Sequence, residues 1–150
     1  FSIRFNIANM KQQINITADT IVSYRHKQGF KVLLIKRKNE PFKNVYAFPG
    51  GFVDQGELVI EACQRELAEE TGLSIKTEEL KFVNFYDKPQ RDPRERTITF
   101  AFTAIIENEV NVKGKDDAKT AKWKDIKDLE HLAFDHKTIF EDALKMIHSK

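Results

Sequence analysis

The sequence predicts an α/β domain, a mixed sheet packed between helices. Three observations lead there. β-branched and alternating apolar runs occupy residues 14–36 and 81–106, whereas apolar residues switch to helical spacing in mid-chain and again near the C-terminal end. With 150 residues, 41% of them apolar and twelve of them Phe, the chain is long enough for one core between layers and too apolar for disorder. The order of elements does not alternate strand and helix throughout, so a purely parallel βαβ sheet is not expected.

Ile14 to Tyr24, INITADTIVSY, alternates in part and is rich in β-branched residues, which predicts a first strand. The polar turn His26-Lys27-Gln28-Gly29 leads to FKVLLIK, Phe30 to Lys36, whose apolar run suits a central strand. A loop with Pro41 spans Glu40 to Asn44; Tyr46 to Phe48 is short and apolar, and Pro49-Gly50-Gly51 ends it. From Glu57 to Thr71 the period changes, with Ile60, Cys63 and Leu67 at helical spacing and Gly72 as the stop. Lys81 to Asp87 reads as a strand carrying Phe82, Val83, Phe85 and Tyr86, and Arg96 to Ile106, RTITFAFTAII, as the longest strand. After a polar loop from Glu107 to Lys119 with Gly114, a short strand at Ala121 to Lys124 is expected to place Trp123 in the core. His136 to His148 reads as a final helix with Ile139, Phe140, Ala143, Leu144 and Ile147 facing inward. Residues 1–13 are expected to be an N-terminal extension, native or added, and residues 14–150 the domain; a start at Phe1 also suits one domain of a longer chain.

Charge narrows the function. Charged residues make up 32% but nearly cancel, leaving +2 and a pI near 8.6 without a basic stripe, so nucleic acid is not an expected partner. A single cysteine, Cys63, excludes an internal disulfide and fits a reducing compartment; its place in an apolar helical stripe predicts a buried thiol. No apolar run approaches the roughly 18 residues of a membrane span and no secretory signal is evident. A cytoplasmic location is therefore expected, with no membrane partner.

The stretch RELAEETG, Arg65 to Gly72, concentrates the chemistry. Glu66 stands three residues before Glu69 and four before Glu70, so all three share one side of a helix. Glu66 and Glu70 repel by about a few tenths of a kcal/mol if exposed, and near the helix C-terminus all three oppose the dipole. Two explanations stand on the residues alone: a solvated face eased by Arg65, or a divalent cation site in which oxygen ligands converge. Magnesium fits the second because it accepts carboxylates and keeps waters, and no Cys/His cluster suggests zinc. Pro49-Gly50-Gly51 allows a tight bend and close backbone approach that can aim a carbonyl at a metal, and it misses the dinucleotide-binding fingerprint.

The full spacing resembles the Nudix box. Gly51, five residues, Glu57, seven residues, Arg65-Glu66-Leu67, one residue, Glu69-Glu70, one residue and Gly72-Leu73 match it over 23 residues without a departure. The resemblance implies an α/β/α sandwich with a mixed sheet, the box forming a loop–helix–loop, and cleavage of a nucleoside diphosphate linked to another moiety. At matching positions Glu66, Glu69 and Glu70 would hold metal with the Gly51 carbonyl. Glu57 would assist from the loop, and Arg65 would pair with Glu69 and steer it. Mg2+ is the implied cofactor, with Mn2+ as a substitute, and the glutamate count suits two or three ions with substrate bound. Glu69 is the expected general base and Glu70 the next candidate.

A second cluster, PQRDPRERT, sets Arg91, Arg94 and Arg96 just before a strand, where they suit either a solvated turn or a substrate phosphate. Together with LLIKRKNEPFKNVYAFPGGFVDQGE and LAFDHKTIF, the stretch DKPQRDPRERTITFAF resembles the ADP-ribose pyrophosphatase branch of the family. That branch includes the Nudix domains of NAD-related transcription regulators and of bifunctional adenylyltransferases. It implies a small-molecule nucleotide substrate, ADP-ribose giving AMP and ribose 5-phosphate, and a homodimer. Tyr46 and Phe48 replace the Trp and Leu usual there, leaving open whether Tyr46 packs or stacks on a base. Arg37 could reach a phosphate, Asp135 is an N-cap candidate, and His136 could donate a proton or contact substrate. Rival expectations are hydrolysis of modified nucleoside triphosphates or dinucleoside polyphosphates, and ADP-ribose sensing by a regulator. A regulator would carry a winged-helix part after this domain, so a chain ending at Lys150 with every ligand glutamate present favours hydrolysis.

Overall fold

The computed structural model of the chain describes residues 10–27, 29–113 and 120–148. Strand β1 (Asn15–His26) organises a mixed seven-stranded sheet. It runs parallel to β6 (Thr97–Ile106), from Asn15 against Thr97 to Tyr24 against Ile106. On its other edge β2 (Gly29–Lys36) pairs antiparallel only from His26 and Gly29 to Ser23 and Val32, and then the two strands separate. The corner at Pro49 fills the gap. There β3 (Tyr46–Ala47) pairs with β2 and β4 (Gly50–Phe52) with β1, while the Thr20 N–H donates to the Pro49 carbonyl at 2.9 Å. β5 (Lys81–Tyr86) flanks β6 and β7 (Thr120–Asp125) flanks β2, both antiparallel.

Helices α1 (Val59–Thr71) and α2 (His136–His148) cover opposite faces. The alternation of a strand decides which residues each receives. Ala18, Val22 and Leu33 pack with Ala62, Cys63 and Leu67 of α1, whereas Ile21, Val32 and Leu34 pack with Ile139, Phe140 and Ala143 of α2. Each fully buried side chain of the Leu67 or Ile139 kind contributes roughly 1.5–3 kcal/mol. The expected α/β/α sandwich is therefore observed. Cys63 is buried as expected, its Sγ 2.6 Å from the Thr20 hydroxyl, and burial pushes its pKa up to about 12.

Differences from expectation are local. α1 starts at Val59 rather than Glu57, because the Glu57 carboxylate accepts from the Asp54 N–H at 2.9 Å and Glu61 accepts from Leu58 N–H at 2.9 Å. It stops as expected at Gly72, whose φ of 77° turns its N–H onto the Ala68 carbonyl at 2.8 Å. Gly50 and Gly51, expected as a bend, are the start of strand β4. A register shift between Phe82 and Asn84 breaks the alternation of β5, leaving Phe82 and Phe85 half-exposed while Val83 and Tyr86 pack toward α2. Trp123 is only half-buried at the margin of the α1-side core; its Nε1–H donates to the Val110 carbonyl at 2.8 Å. Residues 1–9 of the expected extension, Gln28 of the first turn and Gly114 of the expected loop lie outside the described residues. No helix among the described residues is long and apolar enough to cross a membrane.

Candidate active site

The corner between β3 and β4 opens onto a cavity of about 460 Å3 lined by charges of both signs. Glu66 of α1, Gly51, Asp54 and Asp92 line it together with Arg37, Lys38 and Arg94, with Phe134 and His136 among them. β1 contributes Asp19, and Arg91 reaches the cavity from the loop after β5.

On the acidic side Arg65 acts as the clamp. Its Nε donates to Glu57 at 2.7 Å, Nη2 to the same carboxylate at 3.0 Å and to the Phe52 carbonyl at 3.0 Å, and Nη1 to Glu66 at 2.8 Å. Glu69 stands farther off, at 3.3–3.4 Å. The expected Arg65–Glu69 pairing is present, but Glu57 and Glu66 are the closer partners. Hydrogen bonding to Arg65 lowers the Glu57 carboxyl, and that bond is also the main cause raising Arg65. One guanidinium thus tethers the loop to the helix and sets the Glu66 carboxylate against Gly51. A Cβ on Gly51 would stand 2.6–2.7 Å from both Glu66 oxygens, so the site needs glycine for space. Glu70 turns the other way, is buried, and accepts the Gly50 N–H at 2.7 Å.

The three glutamates share a helix side as expected but do not close on one another. Among the described residues no group of three or more His, Cys, Asp or Glu side chains forms a ready metal cage. Arg65 holds Glu66 and Glu69 while the Gly50 amide holds Glu70, which divides the set. The donors nonetheless suit Mg2+. They are hard oxygens, Glu66 faces the cavity with a backbone strand packed close behind it, and Mg2+ is commonly bound through one or two carboxylates plus waters.

On the basic side each arginine has a different fate. Arg91 is almost wholly buried and gives a two-point ion pair to Asp135 at 2.6 and 2.9 Å. Asp135, expected as a helix N-cap, spends its carboxylate on that pair. Arg94 donates to Asp92 through Nε at 3.0 Å and Nη2 at 2.8 Å; burial alone would raise Asp92, but these bonds hold it below the usual range. Arg37 donates to the carbonyls of Pro41 at 2.8 Å and Asn39 at 3.5 Å, and burial, then the like charge of Arg94, lowers its pKa. Arg96, expected at the substrate, instead reaches the Asp87 carbonyl at 2.5 Å and does not line the cavity. Tyr46 is also outside it, its ring face occupied by the Lys124 ammonium at 4.4 Å. Phe48 lines the cavity but is buried, stacked on His136 with ring centroids 5.6 Å apart.

His136 is part of the floor. Its Nδ1 accepts the Phe48 N–H at 3.0 Å, which places the ring proton on Nε2, 3.7 Å from Asp19. Burial lowers its pKa, which favours the neutral ring with its one N–H on Nε2. Asp19, which also accepts from the Thr99 hydroxyl at 2.6 Å, was not anticipated. A carboxylate inside an otherwise apolar β-branched strand was the available signal, since such groups are buried only when paired.

Residues 15–143 match the family model described as the NUDIX domain. The chain belongs to that family. Among curated relatives it is 48% identical over 116 residues to the ADP-ribose pyrophosphatase of Methanocaldococcus jannaschii, covering 77% of this chain and 66% of that protein, just under two thirds of its length. Two solved structures are close in shape. The NUDIX domain of Shewanella oneidensis NrtR complexed with ADP ribose aligns with a TM-score of 0.83 at 27% identity, covering 96% of this chain and 97% of that one. A bifunctional NMN adenylyltransferase/ADP ribose pyrophosphatase from Francisella tularensis, complexed with AMP and a Mn ion, aligns with a TM-score of 0.79 at 26% identity over 96% of this chain and 45% of that one. The Nudix box is thus the segment from Gly51 to Leu73 that builds the acidic wall, and divalent cations are the metals general to the family.

Proposed function

We propose that this Nudix domain hydrolyses the pyrophosphate bond of ADP-ribose to AMP and ribose 5-phosphate, with Mg2+ as cofactor and Mn2+ as a substitute. The carrying observation is one cavity lined by Glu66 and Gly51 together with Arg37 and Arg94, a combination suited to a diphosphate held by both metal and guanidinium. The relative named ADP-ribose pyrophosphatase supports the choice of nucleotide.

Bound divalent ions, in the number of two or three with substrate present, would withdraw charge from the phosphate oxygens. Glu66, Glu69, Glu70 and the Gly51 carbonyl would hold them. Arg65 and Glu57 would keep the glutamates oriented, and the arginine wall would bind the diphosphate from the other side. A water adds to one phosphorus in line with the bridging oxygen, that P–O bond breaks, and the water's proton passes to a carboxylate. Of the three glutamates Glu66 lines the cavity, and Glu69 and Glu70 do not. Glu69 is assigned as the proton acceptor because half of its side chain is open to solvent, whereas Glu70 is engaged by the Gly50 amide. The chain would act as a homodimer in the cytoplasm.

The test presents ADP-ribose, a modified dGTP and a diadenosine polyphosphate side by side with Mg2+ and identifies products. AMP and ribose 5-phosphate from ADP-ribose are expected, with E69Q and E70Q each reducing turnover about 10²- to 10⁴-fold. Preference for either other substrate overturns the nucleotide assignment, and full activity in both variants overturns the catalytic one. The likeness to an NrtR domain complexed with ADP ribose favours one second reading, a sensor, which would bind ADP-ribose without turning it over.

A further inference from the structure

Phe134 is the residue of the cavity wall that the hydrolytic scheme leaves without a task. Its backbone has φ of 52°, a conformation uncommon for any side chain and a true outlier for a bulky one. The flanks explain how it is held. The Ala133 N–H donates to the Tyr46 carbonyl at 2.9 Å, Asp135 is fixed by Arg91, and His136 Nδ1 is fixed by the Phe48 amide. Phe42, itself at φ 61°, packs against the ring with centroids 4.8 Å apart. Such over-determination fixes the ring at the cavity wall, with its other contacts on the small core cluster of Ile35, Ala47 and Ala133. Two guanidiniums lie over that ring, Arg37 at 4.8 Å and Arg94 at 5.8 Å from its centroid.

Two cations sharing one small region repel, and burial first, then the like charge of Arg94, disfavours the charged form of Arg37. Asp92 offsets part of that repulsion at the cost of the Arg94 Nε and Nη2 donors, and carbonyls take the same donors of Arg37. The negative face of the ring offsets more of it without occupying the remaining Nη1 groups that a phosphate would need. We infer that Phe134 is a positioning residue that holds Arg37 and Arg94 together as the diphosphate-receiving wall of the cavity that Glu66 also lines. The inference rests on the diphosphate reading above. It predicts that the π face, and not apolar bulk alone, sets affinity for the diphosphate.

The experiment measures binding of magnesium pyrophosphate and of the non-hydrolysable α,β-methylene analogue of ADP-ribose by calorimetry to wild type, F134L and F134Y, with thermal unfolding as a fold check. F134L, apolar without a π face, is expected to bind pyrophosphate about fivefold to tenfold more weakly, and F134Y to stay within about twofold of wild type. Should F134L not fold, F134M takes its place. In a double-mutant cycle the penalty of R37A shrinks in the F134L background, which shows that the two side chains act together, while F134Y separates loss of the π face from loss of packing. F134L binding like wild type, F134Y falling with F134L, or additive penalties would each overturn the assignment. Wild type that binds pyrophosphate but not the nucleotide analogue would refute the ADP-ribose reading while still testing the arginine wall; binding neither would overturn both.

Discussion

Replacing Gly51 with alanine adds one methyl group where the Glu66 carboxylate already lies. The new Cβ would stand 2.6–2.7 Å from both Glu66 oxygens, well inside the separation that real Cβ atoms keep. Glu66 is the end of a flexible side chain, so the clash is relieved by moving the carboxylate by something near an ångström, away from the cavity and against its 2.8 Å bond to Arg65. Stability should therefore fall little, by about 1 kcal/mol at the low end of overpacking, a Tm shift of roughly 2–4 °C. Misplacing a ligand group by that distance is worth on the order of 10²-fold in rate. Gly50→Ala is the contrasting control. Its Cβ would overlap the Asp19 carboxylate and the Ala18 carbonyl oxygen and stand 3.0 Å from the Asp19 Cα, the last two being backbone that cannot step aside without opening the β1–β4 ladder. It should lose stability first, by more than G51A. Thermal unfolding with ADP-ribose hydrolysis over a Mg2+ titration separates the two. A G51A variant with wild-type turnover and wild-type Mg2+ response would refute the placement of Glu66 as a metal-holding group.

Arg91→Ala should strip Asp135 of a mostly buried partner and cost about 3 kcal/mol, seen as a Tm drop of roughly 6–12 °C. Equal stability would mean that the pair is not holding the start of α2. Arg96→Ala, by contrast, removes a group outside the cavity and should change neither KM nor kcat by more than about twofold, since exposed substitutions are usually near neutral. His136 supplies a pH dependence. Its folded pKa lies below the unfolded value of about 6.5, so the unfolded chain binds the proton more readily. The contribution is intact above about pH 6.5 and is lost progressively as pH falls toward the depressed folded value, by at most about 1.4 kcal/mol per pH unit. Denaturant unfolding between pH 7.5 and 5 should show that slope in wild type and a shallower one in H136N; parallel slopes would contradict it. Chelation should abolish hydrolysis, with Mg2+ or Mn2+ restoring it, and saturating metal at about 100 times its Kd should stabilise the fold by about 2.7 kcal/mol if it binds only the folded form.

The helix and its chemistry were legible because their determinants are local. The i, i+3 and i, i+4 spacing of Glu66, Glu69 and Glu70 follows from 3.6 residues per turn whatever the rest of the chain does. Gly72 as a stop, the buried stripe with Cys63 and Leu67, and the two-residue period of the long strands are equally local signals. The strand β4 was missed because two glycines carry no side-chain period. They form a strand only since β1 and β2 splay apart and leave a backbone edge to be paired.

Which arginine faces the cavity was a different kind of question. Arg91, Arg94 and Arg96 are equivalent as letters in PQRDPRERT, yet Arg91 lines the cavity paired with Asp135, 44 residues away, Arg94 lines it paired with Asp92, and Arg96 turns to the Asp87 carbonyl outside it. The Asp19–His136–Phe48 floor likewise joins residues 88 and 117 positions apart. The sequence by itself determined the layers, the acidic helix face and the family. Tertiary structure alone decided which charges meet, because a hydrogen bond or ion pair acts over a few ångströms in space and is blind to distance along the chain.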